Sequence, residues 1–85
     1  PQDLRVFTAS NGLPNQSVEC LFEDRAGTIW IGTRKGVCRY VGGRIIQDSA
    51  LRNLTPVHDF TEDRDGNLWI GADNGVLLWT KSSLN

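Results

Sequence analysis

Two carboxylate pairs stand at matching places in this chain, Glu23-Asp24 and Glu62-Asp63. Adjacent carboxylates can divide acid and base roles between them. Each pair, however, leads into a short Asp-x-x-Gly turn, where an Asp oxygen accepts the turn's own backbone N–H groups. The pairs recur because the turns recur, so a structural role is the preferred reading. Asp63, Asp65 and Asn67 have the D-x-D-x-N spacing of a calcium loop. The glycine such a loop needs falls on Leu68, and its bidentate glutamate falls on Asn74. The first copy offers Asp24, Ala26 and Thr28, which is poorer still. His58 is the one histidine, with no second imidazole for a metal site or a relay. It reads as a solvated or hydrogen-bonded side chain. Cys20 has no base beside it and reads as a small apolar group. Ser10 and Ser49 lack the glycines of a nucleophile elbow. Trp30, Trp69 and Trp79 could stack on a sugar, but Trp30 and Trp69 sit at equivalent mid-strand positions, which favours core packing. No catalytic residue, no metal and no other cofactor is expected.

What positions these residues is a repeat. Residues 23–37 read EDRAGTIWIGTRKGV, and residues 62–76 read EDRDGNLWIGADNGV, at an offset of 39. Arg5, Ser10 and Val18 also meet Arg44, Ser49 and Val57 at that offset. Within each copy, short apolar runs alternate with turns. Residues 18–22 precede the turn at 24–27. Residues 28–33 precede Arg34-Lys35-Gly36, whose counterpart Asp73-Asn74-Gly75 holds the Asn-Gly hairpin signal. Residues 37–41 precede Gly42-Gly43, and residues 44–47 open a fourth strand. Helical periodicity is absent. Four antiparallel strands at a period near 40 residues mark a β-propeller blade. Ile29-Trp30-Ile31 is apolar on both faces, as a strand must be when blades stack on either side. The expected class is therefore all-β, with two four-stranded antiparallel meanders per chain. The repeats divide the chain at 1–43 and 44–85.

Composition bounds the partners. The chain has 85 residues and a formal net charge of −1. It carries no basic patch for nucleic acid or an anionic membrane, and no apolar run long enough to span one. The first twenty residues show no basic start followed by an apolar core, so no signal peptide is expected in them. Two cysteines are too few for a disulfide scaffold or a zinc site. Cys20 and Cys38 fall one strand apart across a blade, about 9–10 Å, where a disulfide needs Cα atoms within roughly 7 Å. Both are expected free.

The repeated block resembles the two-component regulator propeller repeat, with its pattern E-D-x-x-G-x-[IL]-W-[IL]-G-T-x-x-G-[VL]. Glu23, Asp24, Gly27, Ile29, Trp30, Ile31, Gly32, Thr33, Gly36 and Val37 match. Glu62, Asp63, Gly66, Leu68, Trp69, Ile70, Gly71, Gly75 and Val76 match in the second copy, with Ala72 in place of the threonine. Asn11-Gly12-Leu13-Pro14 is similar to the family's N-G-L-P segment; the second copy departs there. The resemblance implies closed propellers, often paired in the periplasmic sensory part of membrane-bound bacterial signalling proteins, with carbohydrate ligands.

The resemblance also implies that residues 4–8 form the outermost strand of a preceding blade. The chain would then hold two complete sets of strands in permuted order, and identical chains could close a ring head to tail. The family's usual ring of about seven blades cannot be built from whole two-blade chains. Eight blades change the angle per blade by about 6° and six by about 9°, so a homotetramer is expected before a trimer. Two functions remain: a non-catalytic module that forms a ring and binds a small molecule or carbohydrate, which the absence of a separate polar constellation favours, and an enzyme with its site in the central funnel. The longer and more variable loops fall at one end of the strands, where ligands dock. The expected ligand-binding residues there are Gln16, Ser17, Arg34, Lys35, Asp73 and Asn74.

Overall fold

The computed structural model describes residues 4–52 and 54–80. A 3-10 turn at Ala9–Asn11 is followed by β1 (Val18–Glu23), β2 (Ile29–Thr33), β3 (Gly36–Val41), β4 (Arg44–Arg52), β5 (Val57–Glu62), β6 (Leu68–Ala72) and β7 (Gly75–Trp79). All neighbours pair antiparallel, in one sheet of order β1-β2-β3-β4 and another of order β5-β6-β7. The class is all-β, as the turn spacing predicts.

Two local expectations are corrected. The second sheet has three strands among the described residues rather than four, because no neighbour lies along the outer edge of β7. Residues 4–8, expected as the unpaired outer strand of a preceding blade, join no ladder among the described residues, and Leu4 and Val6 stand 90% and 69% exposed. Finally, β4 runs on to Arg52 instead of ending near Gln47, with Gly36 facing Arg52 across an irregularity in the ladder. Leu51, 2% exposed in the core, and Asp48, paired with Arg39 at 3.0 Å, hold that extension in place.

The two sheets stack, and the main core lies between them: Trp30 and Val37 from the first, Val57, Phe60, Leu68 and Ile70 from the second, with Leu51 at the connection. A smaller cluster of Leu13, Ile31 and Cys38 covers part of the first sheet's other face, with Phe7, Tyr40 and Ile45 beside it. Gly12, at φ 113, lets the chain leave the 3-10 turn and drop Leu13 onto that face, a backbone angle that favours glycine.

The bulges decide which way the innermost strands point. Val18 faces Thr33 and Cys20 faces Gly32, so Glu19 is an extra residue; Val57, His58 and Asp59 repeat the arrangement against Ala72 and Gly71. A bulge re-aims a side chain. Here it turns Val57 toward the first sheet and Asp59 away from it. Val18 likewise points away from the second sheet, while Cys20 points toward it.

Candidate functional site

The Asp-x-x-Gly turns are bound tightly. Asp24 Oδ1 accepts from the Ala26 and Thr28 amides at 3.0 and 2.9 Å, and Oδ2 accepts from the Trp30 indole N–H at 3.0 Å. Asp63 does the same with the Asp65 and Asn67 amides, both at 2.9 Å, and with the Trp69 indole at 3.0 Å. Asn67 Nδ2 adds a fourth donor to Asp63 at 3.3 Å. Donors occupy both oxygens, so the D-x-D-x-N spacing builds a turn. The indole contact escapes sequence reasoning, although an Asp followed six residues later by a Trp in both copies is its signal.

The loop end of the strands gathers the expected ligand-binding residues, in two groups. Ser17 and Arg34 are neighbours, because the Arg34 amide donates to the Ser17 carbonyl at 3.1 Å. Lys35 lines a cleft of about 320 Å³ with Leu13, Pro14, Gln47 and Arg52. Gln16 is exposed beside them. In the second group, Asp73 is tied to Pro56 through its amide at 3.0 Å and to His58 through its carboxylate. Asn74 Oδ1 accepts from the Thr55 hydroxyl at 2.9 Å. No hydrogen bond or ion pair joins the two groups among the described residues. Gln47 and Arg52 were not legible as cleft residues, because their place depends on the extension of β4.

The apolar surface lies elsewhere. The second sheet's outward face carries a groove of about 290 Å³ lined by Asp59, Phe60, Thr61, Trp69, Gly71 and Val76. Trp69 is 40% and Val76 66% exposed. At the end of β7, the Trp79 indole nitrogen is buried and has no acceptor among the described residues.

The two-component regulator propeller model matches residues 12–35 and again 51–74. The chain belongs to that family. No curated protein and no solved structure shows a significant match to it. As a two-component regulator propeller, the chain supplies two stacked blades, and the matched segments cover the turn and tryptophan geometry described above. The Asp of the repeat is thereby a turn acceptor in both copies, whereas the Trp is a core ring and the Gly a close approach only at Trp30 and Gly32; Trp69, expected in the core, stands 40% exposed, and Gly71 has room above it.

Proposed function

We propose that this chain is a non-catalytic propeller module that closes a ring by self-association and offers its loop end to a small polar ligand. The observation that carries this reading is the mismatch of strands among the described residues: a three-stranded second sheet with no strand paired along the outer edge of β7, and a segment at residues 4–8 that joins no ladder, with Leu4 and Val6 exposed. An open apolar edge in a lone chain invites pairing. Residues 4–8 of one copy supply the fourth strand for another, and four copies give eight blades. Light scattering should return about four times the 9.4 kDa chain mass, with three times as the runner-up. A folded monomer would reject the reading. Val6→Pro should abolish assembly, since proline removes a ladder donor.

The ligand belongs at the cleft beside Lys35 and Arg52, where two cations and Gln47 border an apolar floor of Leu13 and Pro14. Titration with neutral and acidic oligosaccharides, followed by amide chemical shifts, should perturb residues near Lys35. Shifts confined to the turns around Asp24 and Asp63 would place the ligand at the opposite end.

A further inference from the structure

The contact between the two sheets is a template for a second contact that the described residues leave unmade. In it, Val57 is fully buried over Gly32, and a Cβ added to Gly32 would lie 2.8 Å from Val57 Cγ1 and 2.6 Å from Cys20 Sγ. The Arg25 amide donates to Glu62 at 3.0 Å, its guanidinium lies 3.6 Å from the same carboxylate, and Arg25 Nη1 donates to the Arg64 carbonyl at 3.3 Å. Trp30 meets Trp79 edge to face at 5.7 Å.

Advancing the first-sheet partners by one repeat gives Gly71 for Gly32, Arg64 for Arg25 and Trp69 for Trp30. All three border the second sheet's bare side. Moving the second-sheet partners back by one repeat gives Val18 for Val57, Glu23 for Glu62 and Tyr40 for Trp79. These border the first sheet's outward side. We propose that the groove at Trp69 and Gly71 docks the first sheet of another copy of this chain, with Val18 of the incoming copy seated over Gly71 and its Glu23 against Arg64. The proposal rests on the ring reading and specifies its joint.

Several independent features support a second copy as the occupant. The slot is vacant: a Cβ on Gly71 would meet only Asp59, at 3.8 Å. The knob is unspent, since Val18 is 44% exposed where Val57 is fully buried. Charge is complementary, because Glu23 and Arg64 have no ion pair among the described residues while their counterparts Glu62 and Arg25 pair with each other. The edge strand is poised, because Phe7 packs on Tyr40 of its own first sheet at 5.6 Å. An arriving first sheet therefore brings residues 4–8 up to the open edge of β7. The two faces differ, so the association is head to tail and grows until it closes. Thr61 and Leu21 replace the Phe22–Phe60 ring pair of the internal contact, which makes the copy-to-copy contact the weaker one and its assembly concentration-dependent.

The test is the native mass of the full 85-residue chain as concentration is varied. Gly71→Leu fills the slot and should raise the concentration needed for assembly on the order of a hundredfold. Arg64→Glu and Glu23→Arg should each raise it roughly tenfold. Mixed in equal amounts, these two charge variants should recover assembly, because every joint then joins opposite charges. Alternation closes only even-numbered rings, so a recovered tetramer is expected and a trimer cannot recover. A wild type that stays monomeric overturns the ring reading and this proposal together. A wild type that assembles while Gly71→Leu assembles equally well, or a tetrameric wild type whose charge-variant mixture fails to recover, overturns this joint and leaves the ring reading standing. Growth without a plateau in mass supports the joint and overturns closure.

Discussion

At the scale of single residues, Asp24 does the work of a small scaffold. One carboxylate closes a turn through two amides and fixes the tryptophan of the next strand. Removing such an acceptor strands several donors at once. Asp24→Ala should therefore cost about 2–3 kcal/mol in urea unfolding. At Asp63, donation from the Trp69 indole, then from the Asn67 amide, holds the carboxyl below its ordinary value of 3.8. A depressed folded value gives stability that is complete above the unfolded value and is lost as pH falls through the folded one. Acid titration should thus show the stability falling below about pH 4, and Asp63→Asn should flatten that limb. The thiols follow the opposite trend. Burial lifts Cys38 to about 11, and burial, then the charge of Asp59, raises Cys20. Both are free, and at pH 7 an alkylating reagent should reach half-buried Cys20 before Cys38, read by intact mass. Labelling of Cys38 first would contradict this packing.

At the scale of elements, glycine position separates two sheets that look alike in sequence. Gly32 lies under Val57 and Cys20 with no room for a methyl group. Gly32→Ala should cost about 1–3 kcal/mol by overpacking, whereas Gly71→Ala should leave a lone chain nearly unchanged. Thermal melts of the two variants at low concentration decide it, and equal losses would mean the two faces are equally filled. The strands and turns were legible because Gly27, Gly36, Gly66 and Gly75 and the apolar runs between them punctuate both copies. The bulges at Glu19 and His58 were not legible, because an extra residue leaves the apolar string unchanged. The extension of β4 was hidden for a different reason. Residues 48–52 read DSALR, a weak strand sequence, and Leu51 and Asp48 order it only through contacts with distant residues. Of the loop-end residues, the Ser17–Arg34 neighbourhood follows from strand order, while the place of Arg52 follows from that extension.

At the scale of the whole molecule, the two sheets bury one shared interface, while the second sheet's outward face stays bare and the first sheet's other face is only partly covered. A chain of this size buries only a modest fraction of its surface, so association that binds the folded form adds to stability by mass action. The melting temperature of the wild type should therefore climb with protein concentration, while that of Val6→Pro should not. A wild-type midpoint that is independent of concentration would argue against the proposed joint.

The three tryptophans also give the molecule a built-in optical signal. Trp30 is already buried inside one chain, whereas Trp69 stands 40% exposed on the open face. Docking of another copy there would shield the Trp69 indole from water, while Asp63 keeps its N–H fixed. Intrinsic emission excited in the indole band should then shift to shorter wavelength as the protein is concentrated and return to longer wavelength on dilution. Trp69→Phe should abolish most of that shift, and Trp30→Phe should leave it intact.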